Sequence, residues 1–366
     1  MALTVAGLAI AMVSAGVGGG VAVAVHPYRS PHIATASAAP AASEPAANVS
    51  GGSVEQVAAK VLPTVVALQI DAGNMAYEGS GIVLTADGLI MTNAHVVAAA
   101  PSANPATPGG TGSTVTLADG RTTPFTVVAA DPITDVAVVR AQGVSGLTPI
   151  TFGTSENLRV GQPVMAVGSP LGLDGTVTTG IISSLHRPVA TMSDTANQGA
   201  TLDAIQTDAP MNPGNSGGAL VNMNGQLIGM NSAMATVGGS PGAESGSIGL
   251  GFSIPVDQAM RVADELIATG KASHASLGVQ VADATNTPGA RIIGVTNGGA
   301  AAAAGLPIGA VVTRIDDQVI DSADALGAAV LSHPPADTVS LSYIAASGDT
   351  RTTHVRLGTD GEQQSP

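Results

Sequence analysis

The chain contains 366 residues, enough for two ordinary domains with flanking segments, and carries a formal net charge of −14. This charge, together with the lack of any basic run, argues against nucleic acid or an anionic surface as a partner. Cysteine is absent, which excludes disulfides and thiolate chemistry, and no metal-ligand or phosphate-loop motif is present. We therefore expect neither a metal nor a cofactor.

The N-terminal 25 residues form an apolar run, and no charged residue occurs between Ala2 and Val25. This run predicts a transmembrane anchor or an uncleaved signal over residues 1–25, since about 20 apolar helical residues cross a bilayer. A cleaved signal peptide is the alternative, because Ala36-Ser37-Ala38 offers a small-residue cleavage site. Residues 26–52 are rich in Ala, Pro and Ser, and they predict a disordered linker.

Residues 53–270 have the pattern of a mainly β domain. After a short helical pattern at Val54–Leu62, brief apolar segments alternate with turns. Hairpin signals recur at Asp87-Gly88, Asp119-Gly120 and Asn224-Gly225. Many short strands at this spacing predict barrels or a sandwich, and we expect two barrels with six strands each. The helical pattern from Pro255 to Ala268, which is followed by Gly270, predicts the helix that ends this domain.

The segment Gly214-Asn215-Ser216-Gly217-Gly218 places a serine on a glycine-walled turn. A serine hydroxyl is a poor nucleophile unless a base removes its proton and nearby N–H groups receive the developing oxyanion. Glycines on both sides allow a tight turn that presents backbone amides. Ser216 is therefore the candidate nucleophile, although a Gly-x-Ser-Gly-Gly string alone is also compatible with a plain turn.

A candidate base and an acid that would orient it lie upstream. His95 follows the strand pattern that begins at Ile90, and Asp135 lies where a turn enters the strand pattern beginning at Val136. An imidazole can accept and return a proton near neutral pH, and a neighbouring carboxylate holds it in the required tautomer. Asp131 is the alternative acid, but its position directly before a proline is more typical of a turn cap.

Histidines elsewhere in the chain lack comparable context. His186, His274, His333 and His354 have no nearby motif that assigns them a role. We expect these four side chains at the protein surface.

Four segments, in this order, resemble the HtrA (Deg) family of serine proteases. They are Gly79-Ser80-Gly81-Ile82-Val83, Thr92-Asn93-Ala94-His95, Thr134-Asp135-Val136-Ala137 and the stretch from Asp208 to Gly218. The order His, Asp, Ser is that of chymotrypsin-type proteases and reverses the α/β-hydrolase order. The resemblance implies a chymotrypsin-like double β-barrel in which His95, Asp135 and Ser216 form the catalytic triad. It also implies that the amides of Gly214 and Ser216 form the oxyanion hole.

The resemblance further implies that Leu250 and Asn212 contribute to the S1 pocket. No acidic residue lies in the segment from Ile248 to Phe252, so we expect small or medium aliphatic side chains at P1. Asp208 offers the alternative of a trypsin-like acid that would select Lys or Arg.

The segment from residue 271 to residue 358 resembles a PDZ domain of the HtrA type, on the segments Ser276–Val279, Gly305–Val312 and Ile315–Val319. A generic small αβ domain is the alternative. The resemblance implies that a partner's C-terminal peptide adds a strand and that amides near Leu277, Gly278 and Val279 hold its carboxylate. Residues 359–366 predict a disordered tail.

Together these features predict a serine endopeptidase that cleaves unfolded or damaged proteins in the cell envelope, with peptide recognition and regulation by the PDZ domain. The alternative is a PDZ scaffold or chaperone with little proteolysis. The resemblance implies a homotrimer, attached to the membrane by residues 2–25, with its catalytic domain outside the cytoplasm. Arg29 conflicts with this topology under the positive-inside rule, and a secreted protein is the other possibility.

Overall fold

The computed structural model describes residues 52–72, 75–100, 112–169, 175–190, 201–232 and 249–360. The expected N-terminal anchor, the linker up to residue 51 and residues 361–366 of the expected tail lie outside these ranges. Within these ranges, no helix has the length and apolar character needed to cross a membrane.

The first barrel is a closed sheet of six strands in the order β1-β2-β3-β6-β5-β4. Its strands are β1 (Val65–Ala72), β2 (Met75–Val83), β3 (Leu89–Thr92), β4 (Ser113–Thr116), β5 (Thr122–Asp131) and β6 (Val136–Ala141). Helix α1 (Val54–Val61) and a 3₁₀ turn (Leu62–Thr64) precede it, and helix α2 (Ala94–Val97) follows β3. Helix α1 begins at a capping box in which Ser53 and Gln56 each satisfy the other's backbone amide.

The second barrel is built from strands in the order β11-β8-β9-β10-β13-β12 and is closed by pairing of β11 with β12. Its strands are β8 (Pro163–Gly168), β9 (Thr176–Ala190), β10 (Thr201–Thr207), β11 (Ala219–Asn222), β12 (Gln226–Ser232) and β13 (Gly251–Pro255). The short strand β7 (Thr151–Phe152) pairs with β12 in parallel. Helix α3 (Val256–Thr269) follows β13 and ends at Gly270, whose φ of 76° is the left-handed conformation that favours glycine.

Aliphatic side chains fill the cores, as the low aromatic content requires. One cluster of buried residues joins the facing sides of the two barrels, and it includes Val65, Met165 and Met230. Helix α3 adds one apolar face to this cluster, with Val262 and Leu266 among its buried residues. The two barrels are therefore packed against each other through a shared core.

The C-terminal part is a small α+β unit with its own core. Its sheet has the order β15-β16-β17-β19-β20, with β18 paired to β17, and β14 pairs separately with β21. The strands are β14 (Ala275–Ser276), β15 (Val279–Asp283), β16 (Ala290–Val295), β17 (Val311–Ile315), β18 (Gln318–Val319), β19 (Thr338–Ile344), β20 (Thr350–Arg356) and β21 (Gly358–Thr359). Its helices are α4 (Ala300–Ala303) and α5 (Ala323–Ser332), the latter capped by Ser322.

The expectation of a mainly β domain with two barrels, followed by a small α+β domain, is confirmed. One boundary is wrong, because Thr359 and Asp360 do not belong to a free tail. Thr359 pairs with Ala275 in the β14–β21 ladder, and the amide of Asp360 donates to the carbonyl of His274 at 2.8 Å. The backbone of β14 supplies hydrogen bonds that order the chain beyond the predicted end of the domain.

Candidate active site

His95 and Asp135, which are both carried by the first barrel, are in direct contact. His95 lies on helix α2 directly after β3, and Asp135 lies in the turn between β5 and β6. The Nδ1 atom of His95 is 2.9 Å from both carboxylate oxygens of Asp135, and the amide of His95 donates to Oδ1 at 3.0 Å. An ionised carboxylate only accepts, so Nδ1 carries the proton and Nε2 is left as the acceptor.

The turn that carries Asp135 is held in an uncommon conformation. Asp135 has a φ of 57°, a left-handed backbone that costs a non-glycine residue about 1–2 kcal/mol. Its carbonyl accepts hydrogen bonds from Asn93 Nδ2 at 3.0 Å and from the amide of Ala94 at 3.2 Å. The hydroxyl of Ser232, at the end of β12, donates to Oδ2 of Asp135 at 3.4 Å. These contacts fix the carboxylate against His95.

Ser216 lies on a buried loop that precedes β11 in the second barrel. The amide of Ser80 in the first barrel donates to the carbonyl of Ser216 at 2.8 Å. Two further bonds tie the loop to β12: the amide of Gly217 donates to the carbonyl of Asn231 at 2.9 Å, and the amide of Asn231 donates to the carbonyl of Gly218 at 2.8 Å. The loop is thus fastened to both barrels.

Gly79 shows how closely the histidine helix approaches this loop. A β-carbon at Gly79 would lie 2.6 Å from Cγ1 of Val96, the residue after His95, and 3.3 Å from the carbonyl oxygen of Ser216. Only glycine permits this approach without displacing a neighbour. The structure therefore pairs His95 with Asp135 and places the helix that carries His95 beside the loop that carries Ser216.

The amides expected to form the oxyanion hole lie in the same loop. Gly214 is buried with a φ of 95°, and its amide donates to no acceptor among the described residues. The amide of Asn215 donates to the carbonyl of Asn212 at 3.0 Å, which closes the turn just before the serine. The carbonyl of Gly214 accepts from the hydroxyl of Ser80 at 2.6 Å. The available amide of Gly214 is what an oxyanion requires.

The residues expected at the S1 pocket occupy different environments. Leu250 is half-buried just before β13, whereas Asn212 is exposed on the turn before Ser216. Sequence reasoning misses Met211, which is buried and packs its Cγ and Sδ atoms against Gly251, where a β-carbon would lie 3.0 Å from each. In the sequence, only its position next to Asn212 in the motif could have indicated that Met211 lies near the expected S1 pocket.

Asp208, the alternative specificity acid, is tied to strand β9. Its Oδ1 accepts a hydrogen bond from the amide of Ile181 at 2.7 Å, and the residue is exposed. The hydroxyl of Thr207 donates to the carbonyl of Ile181 at 2.8 Å. Both side chains therefore stabilise the β9–β10 edge of the barrel.

Asp131, the alternative acid, has a structural partner of its own. It caps the turn by accepting from the amide of Ile133 at 3.3 Å and from the amide and hydroxyl of Thr134. Its Oδ2 also lies 2.9 Å from Nε2 of His274, so the expectation that His274 is a surface residue is wrong. Burial raises the pKa of the Asp131 carboxyl, but the hydrogen bonds from His274 and Thr134 outweigh this effect, and the net pKa is lowered.

The segment expected to hold a peptide carboxylate leads into β15. Leu277 is buried, Gly278 has a φ of 69°, and Val279 begins the strand. The carbonyls of Leu277 and Gly278 accept from the amides of Ala301 and Thr296, both at 2.9 Å. Among the described strands, β15 pairs with β16 alone and is thus an edge of its sheet, which leaves its other side open for an added strand.

Comparison with known proteins gives the same two-part organisation. The family model of the trypsin-like peptidase domain matches residues 79–230, and the model of the PDZ domain matches residues 275–357. Serine protease PepD of Mycobacterium tuberculosis is 61% identical over 362 residues, which cover 97% of this chain and 77% of the relative. A probable periplasmic serine endoprotease, DegP-like, of Halomonas elongata is 39% identical over 290 residues, covering 76% of this chain and 56% of the relative.

Solved structures show the same likeness. The HtrA-type protease AlgW, solved with a tripeptide, matches with a TM-score of 0.59 and 32% identity, covering 83% of this chain and 96% of that chain. The chain therefore belongs to the HtrA family of trypsin-like serine proteases, and it is a serine endopeptidase with a C-terminal PDZ domain.

Proposed function

We propose that Ser216 is the nucleophile of this endopeptidase, with His95 as its general base and Asp135 as the acid that orients the base. The observation that carries the proposal is the contact of His95 Nδ1 with both oxygens of Asp135, at 2.9 Å each. In the neutral imidazole this contact places the proton on Nδ1, and Nε2 is then the atom that can take a proton from a serine hydroxyl.

In this mechanism, His95 Nε2 takes the proton of Ser216 as the oxygen attacks the scissile carbonyl. The amides of Gly214 and Ser216 receive the negative charge of the tetrahedral intermediate. His95 then returns the proton to the leaving amine, which leaves an acyl-enzyme on Ser216. Water, activated by the same imidazole, releases the acid product and regenerates the serine. Asp135 stabilises the imidazolium in both half-reactions.

The test is cleavage of a disordered protein such as casein by the Ser216→Ala variant. We expect a loss of activity on the order of 10³-fold or more, because the triad acts as a unit. Ser347→Ala, which removes an exposed hydroxyl far along the chain, is the matched control and should keep full activity. Retained cleavage by Ser216→Ala would contradict the assignment of Ser216 as the nucleophile. If the variant binds casein without cleaving it, the variant itself would behave as a chaperone without proteolysis.

We propose small or medium aliphatic P1 residues for substrates that are unfolded or damaged proteins. Two observations support this preference: Met211 packs its thioether against Gly251, and Asp208 is bound to the amide of Ile181. Sequenced product ends should show Val, Ala, Ile, Leu or Met before the cut. A dominance of Lys or Arg would contradict this proposal.

We propose that the PDZ domain binds C-terminal peptides along β15 and that this binding regulates cleavage. The edge position of β15 supports binding, and the packing of helix α5 against β9 and β10 supports a connection to the barrel that carries Ser216. A peptide with an apolar C-terminal residue should raise cleavage of a small unrelated substrate by roughly 5- to 150-fold, the range of typical coupling energies. Cleavage rates that do not change with peptide concentration would reduce the PDZ domain to a tethering module.

We propose that the protein is a homotrimer, attached to the cell membrane by residues 2–25, with its catalytic domain outside the cytoplasm. The relative from Halomonas elongata is a probable periplasmic endoprotease, which supports this side of the membrane. Light scattering of a soluble form should give the mass of three chains, and a monomer at micromolar concentration would contradict the assembly. A reporter fused after Ser53 should be active only outside the cytoplasm, and cytoplasmic activity alone would overturn the topology.

A further inference from the structure

Ser80 lies at the centre of the contact between the two barrels, although it is not a member of the triad. It is fully buried on β2, between Gly79 and Gly81. Its hydroxyl lies 2.6 Å from the carbonyl oxygen of Gly214 and 2.8 Å from the amide nitrogen of Ser169. Its own amide donates to the carbonyl of Ser216 at 2.8 Å. One residue of the first barrel therefore holds the loop on both sides of Asn215.

The direction of the hydroxyl is fixed by its partners. The amide of Ser169 can only donate, so Oγ of Ser80 accepts from it. The hydroxyl of Ser80 then donates its hydrogen bond to the carbonyl of Gly214, which can only accept. The carbonyl of Ser80 is itself engaged by the hydroxyl of Thr92 at 2.7 Å. Ser80 is thus held rigidly on its own strand while it holds the loop.

The carbonyl of Gly214 matters because this residue has no β-carbon to restrict its backbone. Its φ of 95° is a conformation from which glycine can rotate at little cost. Rotation would turn the Gly214 amide away from the position of an oxyanion. Within the described residues that amide has no acceptor, so the residue is oriented through the peptide group that follows it. There the carbonyl of Gly214 accepts from Ser80, and the amide of Asn215 donates to Asn212.

We propose that Ser80 is a positioning residue for the oxyanion hole, which its hydroxyl keeps in the productive orientation by binding the Gly214 carbonyl. The inference rests on the proposed roles of Ser216 and the Gly214 amide. It also explains the local sequence of the loop 214–218, which we call the nucleophile loop, because Gly217 comes too close to Ser80 for a residue with a β-carbon. A β-carbon at Gly217 would collide with the carbonyl oxygen of Ser80 and with the hydroxyl of Thr92.

The experiment compares Ser80→Ala and Ser80→Cys in the full-length protein, using a peptide substrate with valine at P1 and the corresponding peptide aldehyde. Loss of one oxyanion-hole donor lowers kcat by about 10²–10³-fold, so a misplaced donor in Ser80→Ala should lower it about 10- to 100-fold. KM should change by less than about threefold, because the donor acts in the transition state. The inhibition constant of the aldehyde, whose adduct carries the oxyanion, should rise in parallel with the loss of kcat.

Ser80→Cys keeps nearly the same volume but offers only a weak donor, so its kcat should lie between those of the serine and alanine forms. This comparison carries the test if Ser80→Ala does not fold. Thr64→Val is the matched control, since it removes another buried hydroxyl, one that donates to Val61 at 2.7 Å, and it should lower Tm without changing kcat.

A Ser80→Ala enzyme with the kcat and aldehyde affinity of the wild type, whatever its Tm, would overturn the proposal. The proposal is equally overturned if Ser80→Cys matches the wild type while Ser80→Ala is merely unstable. These outcomes leave the triad untouched. Failure of the proposed function appears separately, as retained activity in Ser216→Ala.

Discussion

The loop around Ser216 and the joint between the barrels and the PDZ domain are held by contacts of different chemistry. Around Ser216 the contacts come from backbone groups and from the neutral side chain of Ser80. At the joint, Asp131 of the first barrel binds His274, which directly precedes β14. Asp203 on β10 binds His186 at 2.8 Å, and Gln318 of the PDZ domain lies 3.4 Å from its other oxygen.

Because of this difference, the geometry of the loop around Ser216 and the attachment of the PDZ domain should respond differently to pH. Neutral hydrogen bonds keep their strength across the physiological pH range, so the geometry of the loop around Ser216 should not depend on pH. Carboxylate–imidazole pairs change their charge with pH, and they lie where the PDZ domain meets the protease domain. We therefore expect changes of pH to alter the stability of the contact between the PDZ domain and the protease domain. Substitution of the neutral groups around Ser216 should instead alter kcat.

The largest effect should come from Gly217→Ala. Gly217 has a φ of 80°, and a β-carbon there would collide with Ser80 and Thr92. The left-handed backbone alone costs alanine about 1–2 kcal/mol, and the collision must displace the loop next to Ser216. We expect kcat to fall by roughly 100-fold or more, since a displacement of about 1 Å at a reacting group has that effect.

Gly120→Ala is the matched control for this variant. Gly120 has nearly the same φ, 82°, but a β-carbon there would meet nothing within 4 Å. It should lower the stability by about 1 kcal/mol, from the backbone conformation alone, and leave kcat unchanged. Equal kcat values in the two variants would show that the close approach to Ser80 does not matter for catalysis.

A smaller effect is expected from His274→Ala at the joint. The buried Asp131 carboxylate loses one partner, which costs about 1–3 kcal/mol of unfolding free energy at neutral pH. Because the folded-state pKa of Asp131 is lowered, its contribution is present above its ordinary pKa and is lost as pH falls through the lowered value. The difference in Tm between wild type and variant should therefore shrink below about pH 4.

The control for this prediction is His354→Ala, which removes an exposed histidine of strand β20. It should show no pH-dependent change of Tm relative to the wild type. A His274→Ala variant with the wild-type Tm at pH 7 would mean that the contact with Asp131 does not hold the joint.

The smallest effect should come from His186→Ala. The hydrogen bond to Asp203 raises the pKa of His186, and this outweighs the opposing effect of burial. Its stabilising contribution is therefore complete below about pH 6.5 and is lost as pH rises through the raised pKa. The side chain is 55% exposed, so solvent screening keeps the effect below about 1 kcal/mol. Thermal melts from pH 6 to pH 9 should show a smaller decline of Tm in the variant than in the wild type.

Much of the fold can be predicted from local patterns. The hairpin signal at Asn224-Gly225 lies between β11 and β12, and Gly270 ends helix α3 with the expected left-handed backbone. Prediction is weaker where a strand forms only because it pairs with a strand that is distant in the sequence. Strand β21 carries no strong strand pattern of its own, and it forms because β14, more than 80 positions earlier, offers a partner.

The candidate site shows the same division. His95, Asp135 and Ser216 can be proposed because each lies in a local motif. The structure pairs the first two directly and places the loop of Ser216 beside the helix that carries His95. Ser80 lies inside one of those motifs, but its bond to Gly214 spans 134 positions and is invisible in the local pattern. His274 resembles a surface residue in the sequence because nothing near it indicates Asp131, which lies 143 positions away. Tertiary contacts therefore give these two residues their roles.

The proposed activation of Ser216 by His95 can be measured by labelling with a fluorophosphonate. We predict one label per chain, located on Ser216 by peptide mapping with mass spectrometry. Labelling should be slower by about 10³-fold or more in His95→Ala, because the serine then lacks its base. A label on any other serine, or undiminished labelling of Ser216 in His95→Ala, would contradict this mechanism.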